Sequence, residues 1–377
     1  MKRTYLMTPG PSPVPAFVRE GMAREIMHHR TDEFQAILQQ AHEGLKKVFC
    51  TSNPVLMLAS SGTGAMEAAV TNLFSPKDKV ITVNGGKFGE RWTEIAKAHG
   101  LEAIELKIEW GKGPSPDEIA RLIDANPTVK GVLATLCETS TATVYDIEGI
   151  GTVAKAKNVL FVVDAISGLG QDKLLTDDWG VDVVVSGSQK GFMLPPGLAF
   201  ISLSKKAQAA LTQGTCPKFY FNLSKALKSY EKNDTPWTPA VSLIVGLNEA
   251  LRCLAQEDNE ARWRRFQKMA RATQEAAKAL GLTVFSASPS SSVTAIVVPA
   301  NVKSGDIVKT MRKKYGISIA EGQDHVKEKI FRIAHMGWIN EQDLMMCFSL
   351  LEKVLKELGH TFTAGASLAR LQEVIYG

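Results

Sequence analysis

The sequence predicts an α/β protein in which a mostly parallel sheet covered by helices fills a larger first part of the chain and a smaller α/β domain follows. Three observations predict it. From residue 55 onward, short runs of valine, leucine and isoleucine alternate with helical patterns. Those runs are apolar almost throughout, which suits strands buried on both faces. The chain has 377 residues, more than one hydrophobic core usually serves, so a second domain is expected.

In chain order, the opening MKRTYLMTPGPSPVPAF is broken by Pro and Gly and reads as an extended arm, residues 1–15. PVLMLAS is expected as a strand, GAMEAAVTNLF as a helix, KVITVNG as a strand, and GERWTEIAKAHG as a helix ended by Gly100. PDEIARLIDAN then reads as a helix, GVLATLC as a strand, GIGTVAKAKN as a helix, and LFVVDA and VDVVVSG as strands. Two long helical patterns follow one another between Pro239 and Gly281, and the domain boundary is expected near residue 257. This divides the chain into the arm, a large domain over 16–257 and a small domain over 258–377. Beyond the boundary, SSSVTAIVVP, ISIAEG and FRIAHM read as short strands between the helices SGDIVKTMRKKYG and NEQDLMMCFSLLEKVLKELG, the latter capped by Asn340.

Composition narrows the function. A net charge of +5 is small for this length, and the basic residues are interspersed with acids. The densest basic stretch, EARWRRFQKMARATQEAAK, carries Trp263, Phe266 and Met269 at helical spacing, so it reads as a solvated helix face rather than a nucleic-acid surface. Five cysteines with no CxxC pair argue against a disulfide framework and against a zinc site. The amino-terminal residues break before any signal-like apolar run, and no run approaches the roughly 18 residues of a membrane span. A cytoplasmic protein without a metal, membrane or nucleic-acid partner is expected.

In an open parallel sheet, ligands bind beyond the carboxyl ends of the strands, so chemistry is sought there. At the first such end, Ser61, Gly62 and Thr63 stand between a strand and a helix, where free amides and the helix dipole suit an anion such as phosphate. The same hydroxyls are equally suited to capping the helix. Asp164 ends the apolar LFVVDA run; a carboxylate there needs a cationic partner or loop amides. Lys190, in SGSQKGFMLPPGLAF, follows another strand, and becomes a usable amine nucleophile near neutrality only if burial or neighbouring cations lower its pKa. Ser140 and Thr141, after GVLATL, bond a ligand or simply form a turn. A phosphate cradle, an acid for a pyridinium nitrogen and a Schiff-base lysine are together what pyridoxal phosphate requires.

The order SSGTGAMEAA, then Phe88 in GGKFGERW, then ETSTA, VVDAISGLG and SGSQKGFMLPPGLAF resembles the class V aminotransferases of pyridoxal-phosphate fold type I. The likeness is strongest to the alanine–glyoxylate and serine–glyoxylate (serine–pyruvate) group, which includes proteins labelled the small subunit of a soluble hydrogenase. It runs from TPGPSPVP to IFRIAHMG, nearly the whole chain. The resemblance implies a seven-stranded, mostly parallel sheet in the large domain. It also implies that Lys190 forms the Schiff base and that Asp164 pairs with the ring nitrogen. Ser61, Gly62, Thr63 and Gln189 are implied as phosphate-side contacts, Ser140 as a partner of the ring hydroxyl or nearby ring atoms, and Phe88 as the aromatic that stacks on the ring. Arg332 is implied to grip the substrate α-carboxylate. The segment YEKNDTPWTPAV resembles one that reaches a neighbour's phosphate across a homodimer, with Thr235 the ligand and Thr238 a rival spacing.

The activity so implied is ping-pong transfer of an amino group from a small amino acid to a 2-oxo acid such as glyoxylate or pyruvate. A lyase of the same family, such as a cysteine desulfurase, is one rival; those enzymes usually carry His before the lysine and on the ring face, where this chain has Gln189 and Phe88. A noncatalytic partner subunit is the other, and no cluster-ligand cysteine pattern supports it. His28, His29 and Arg30 suit the pocket entrance or ion-pair roles alike.

Overall fold

The computed structural model describes residues 4–377. The first three residues of the arm lie outside the described range. The arm contributes β1 (Tyr5–Leu6), followed by helices α1 (Ala16–Met22) and α2 (Asp32–Phe49). Then β2 (Val55–Ser60), α3 (Gly62–Leu73), β3 (Lys79–Asn84), α4 (Lys87–Ala98), β4 (Glu102–Lys107), α5 (Pro116–Ala125) and β5 (Val129–Thr135) alternate. A small hairpin, β6 (Cys137–Glu138) and β7 (Thr143–Val144), precedes α6 (Ile147–Ala156), β8 (Leu160–Asp164), β9 (Val183–Gly187) and β10 (Gly197–Leu203). Helices α7 (Lys205–Ala210), α8 (Leu223–Tyr230), α9 (Val241–Leu254) and α10 (Asn259–Ala279) come next. The C-terminal elements are β11 (Thr283–Val284), β12 (Val293–Val297), α11 (Ser304–Tyr315), β13 (Ile317–Ser318), β14 (Ala320–Glu321), β15 (Ile330–Ala334), α12 (Glu341–Glu357) and α13 (Ala366–Tyr376).

Seven strands form the large sheet in the order β2-β10-β9-β8-β5-β3-β4, with only β10 antiparallel to its neighbours. The apolar runs are buried on both faces because successive side chains point to opposite sides. In β8, Phe161 and Val163 join the core that holds Phe34, Phe192 and Leu247. Leu160 and Val162 join the opposite core with Met66, Trp92 and Val185. A third core, around Phe266, Phe331, Phe348 and Leu355, lies with the antiparallel sheet β11-β12-β15-β14 and its helices. The arm is tied to that end of the molecule, since β1 pairs parallel with β13.

Several elements depart from sequence expectation. Helix α3 starts at Gly62 and α4 at Lys87, each two residues earlier than the apolar periodicity suggests, which puts the cradle residues and Phe88 in first turns. Strand β4 was not expected: as the edge strand, it mixes Glu102, Glu105 and Lys107 with apolar residues and so shows no apolar run. ISIAEG divides into β13 and β14, which pair with different sheets. The Asn340 cap forms as expected, its side chain accepting from the Asp343 amide at 3.0 Å.

Candidate active site

The strand order brings the ends of β2, β5, β8 and β9 to one edge of the sheet, and β2 hands directly into α3. Ser61 is the N-cap of α3, yet its hydroxyl makes no capping bond; the Gly64 amide donates to Ser61 O at 2.9 Å, and the Gly62 and Thr63 amides keep their donors for something else. A Cβ at Gly62 would collide with Ile166, so the backbone is drawn in closely there. Thr63 Oγ1 accepts a hydrogen bond from Arg91 Nη1 at 3.1 Å, and the Arg91 guanidinium lies 5.0 Å from the centre of the Phe88 ring.

Asp164, the last residue of β8, is 2% exposed. Its Oδ1 accepts from the Ile166 amide at 2.8 Å, and burial pushes its carboxyl up to about 7 against the pull of that amide, Arg91 and Lys190. Lys190 is also buried; burial pulls its amine down to about 8, with Asp164 opposing the fall. Its Nζ donates to the Pro9 carbonyl of the arm. The arm is fixed there by Ser12, whose amide donates to Gln189 O (2.9 Å) and whose hydroxyl donates to Lys190 O (2.7 Å). Gly10 has φ +106°, and a Cβ at that position would strike the Lys190 side chain, so both conformation and space require glycine. Gln189 Oε1 is a buried acceptor without a hydrogen-bond partner among the described residues.

After β5 the chain places Glu138, Thr139 and Ser140, and here one expectation is corrected. Ser140 does not face the cavity. Its hydroxyl is fully buried, donates to Glu138 Oε1 and accepts from the Lys87 amide at 3.1 Å. Thr139 takes the cavity-facing place, with Oγ1 paired to Ser167 Oγ at 2.6 Å. Glu138 is a wholly buried carboxylate that accepts from the amides of Phe88 (3.1 Å), Gly89 (2.8 Å) and Ser140 (3.1 Å); burial pushes its pKa up while these bonds oppose the rise. It therefore holds the first turn of α4, and with it Phe88, against the end of β5. Arg332, on β15, crosses from the small sheet: Nη1 donates to Thr139 O at 2.8 Å and Nη2 to Glu321 O at 2.7 Å. Its hydrogen-bond partners are carbonyls, and the nearest opposing charge that acts on it is the buried Glu138 carboxylate.

Ser61, Gly62, Thr63 and Phe88 line one cavity together with Asp164, Gln189 and Lys190. Arg91 and Thr139, which sequence reasoning passed over, line it too. Arg91 had a signal: it stands three residues after Phe88 and so shares its helix face. Thr235 and Thr238 lie elsewhere, in a groove with Tyr220 and Trp237, so neither reaches the Lys190 cavity of its own chain. Arg30 forms an ion pair with Asp234 and donates to Thr235 O at 3.1 Å, while His28 and His29 stack on each other. A larger groove between α2, α9 and α10 contains none of these groups. Among the described residues no cluster of acids, histidines and cysteines suits a metal ion, and no helix is long and apolar enough to cross a membrane.

A helix N-terminus open to an anion, a buried acid and a buried amine of lowered pKa meet at the strand ends of an α/β sheet, an arrangement suited to group-transfer chemistry. The chain belongs to the aminotransferase class V family, whose model matches residues 5–349, and it is a transaminase. It is 42% identical over 99% of its length to the soluble hydrogenase small subunit of Synechococcus sp., 98% of which is covered. It is 34% identical over 98% of its length to the L-aspartate–glyoxylate aminotransferase of Paracoccus denitrificans, covering 95% of that protein. The crystal structure of the ureidoglycine–glyoxylate aminotransferase of Bacillus subtilis superposes with a TM-score of 0.95 at 27% identity, with 100% of this chain and 99% of that one covered.

Proposed function

We propose that the protein is a pyridoxal-phosphate-dependent aminotransferase. It moves the amino group of a small amino acid such as alanine or serine to a 2-oxo acid such as glyoxylate or pyruvate, in two half-reactions. The observation that carries this is the shared cavity of Lys190, Asp164 and the open first turn of α3. The residues present fit the cofactor. The Gly62 and Thr63 amides and the Thr63 hydroxyl suit its phosphate, Gln189 can offer its side-chain N–H donors to the same group, and Asp164 has one carboxylate oxygen left for a ring N–H.

In this assignment Ser61, Gly62, Thr63 and Gln189 hold the phosphate, Phe88 packs on the ring, Thr139 stands beside it and Asp164 holds its nitrogen protonated. When bound, the cofactor supplies a pyridinium ring that draws off the charge left on the substrate α-carbon. Lys190 takes the proton from that carbon and returns it. With a pKa near 8, roughly a tenth of its amines are neutral at pH 7, against well under one in a thousand for an ordinary lysine. Arg332 orients the substrate by its α-carboxylate, which a planar guanidinium can grip with two parallel bonds. The arm, stapled by Ser12, roofs Lys190 against water.

Glyoxylate as acceptor is supported by the names of two relatives, which share it while their donors differ. We read the active unit as a homodimer in which Thr235 or Thr238 reaches the neighbouring phosphate, supported by their absence from the cavity of their own chain. We also propose the division into the arm, residues 16–257 and residues 258–377, supported by the separate core around Phe266 and Phe348, and a cytoplasmic location, supported by five unpaired cysteines. The test is spectroscopic. Purified protein given pyridoxal phosphate should show a visible band that changes as amino acids are added one at a time, with a keto acid formed; Lys190→Ala should lose both band and turnover. Normal turnover in that variant, or sulfide release from cysteine in place of a keto acid, sinks the proposal.

A further inference from the structure

Resting on the cofactor assignment above, we infer that Arg91 is a phosphate-binding residue that completes the anion cradle of Ser61, Gly62 and Thr63. A guanidinium has five N–H donors. Arg91 commits one of them, Nη1, to Thr63 Oγ1 at 3.1 Å, and otherwise rests on the Phe88 ring. It forms no ion pair among the described residues. A half-buried cation that lines a cavity and has no carboxylate in direct contact is an open position for an anion.

Its placement selects the phosphate end. Thr63 is the second residue of α3, where the free amides and the dipole already favour negative charge. By donating to Thr63 Oγ1, Arg91 occupies a lone pair of that hydroxyl and leaves its proton for an acceptor in the cavity. The guanidinium also lies 5.0 Å from the centre of the Phe88 ring, which adds a second contact beside the Thr63 bond. Arg91 also lowers the Asp164 pKa through space, but no hydrogen bond joins the two.

The experiment uses full-length chain freed of cofactor and measures dissociation constants for pyridoxal phosphate, for pyridoxal, which lacks the phosphate, and for inorganic phosphate as competitor. Arg91→Gln should weaken pyridoxal phosphate about ten- to a hundred-fold, the usual value of a charge-assisted hydrogen bond. Pyridoxal should change less than about two-fold, competition by inorganic phosphate should fall in parallel, and Arg91→Lys should recover part of the loss. Equal weakening of pyridoxal and its phosphate would place Arg91 at the ring and overturn the inference. So would an unchanged pyridoxal phosphate affinity accompanied by a raised KM for a dicarboxylic amino acid. Wild-type chain with no affinity for pyridoxal phosphate overturns the cofactor assignment as well, whereas an unaffected Arg91→Gln variant overturns this inference alone.

Discussion

Removing the charge of Asp164 should stabilise the cofactor-free protein while disabling the enzyme. Burial raises this carboxyl from 3.8 to about 7, so the folded chain resists ionising it and the unfolded chain does not. For a raised acid the penalty is complete above the folded value and disappears as pH falls toward the unfolded one. Linkage between 3.8 and about 7 gives a penalty of about 4 kcal/mol at pH 8, about 2 at pH 5 and under about 1 at pH 4. Asp164→Asn keeps an oxygen for the Ile166 amide and removes the ionisation, but it also takes a counter-charge from Lys190, so the net gain at pH 8 is about 2 to 4 kcal/mol. The assay is the urea midpoint of both proteins without cofactor, at pH 8 and pH 5. The gain should shrink by half or more between the two. A variant less stable than wild type at pH 8, or a gain independent of pH, refutes the assignment of Asp164 as a buried, unpaired acid. With cofactor present the same variant should lose turnover, because in the proposed assignment Asp164 is the group that keeps the ring nitrogen protonated.

Arg332→Lys keeps the positive charge but loses the planar fork, and steady-state kinetics should show KM for the amino acid raised about ten-fold or more with cofactor affinity unchanged; a loss confined to kcat would deny it the carboxylate. Glu138→Gln replaces an acceptor-only group that three amides and a hydroxyl share, leaving at least one donor unmatched. Thermal or urea unfolding should report a cost of about 1 to 3 kcal/mol, and wild-type stability in that variant would show that the first turn of α4 needs no anion beneath it.

Strands β2, β3, β5, β8 and β9 were legible because each is a nearly unbroken apolar run, which only a strand buried on both faces requires. Strand β10, GLAFISL, was passed over because it follows the turn-rich residues after Lys190, and nothing local announces that it returns antiparallel between β2 and β9. The site was legible where a residue ends a strand, as Asp164 does. It was not legible where a turn decides which side chain faces in. Thr139 and Ser140 are adjacent hydroxyls, and the choice between them is made by the Glu138 carboxylate, which folds back to capture Ser140 and leaves Thr139 toward the cavity. Pro9 gave no signal, since its carbonyl meets Lys190 only through the path of the arm.

The charges of the site explain why it is assembled from both ends of the chain. Lys190, Arg91 and Arg332 are cations, and the carboxylates within reach are Asp164 and Glu138, both wholly buried and both pushed toward neutrality. Left alone, the cavity holds more positive charge than its own acids balance, and burial pulls Lys190 to about 8 and Arg332 to about 10. A phosphate near Arg91 and Thr63 and a carboxylate near Arg332 would supply the missing negative charge at two separate places. In the proposed assignment a pyridinium nitrogen at Asp164 supplies the one cation that acid lacks. Each ligand group then answers an imbalance already present, and stability withheld from the empty fold is returned on binding as affinity. Arg332 joins in only because β15 lies close enough for its guanidinium to donate to Thr139 O, so the proposed carboxylate site requires the small sheet to be docked on the strand ends of the large one.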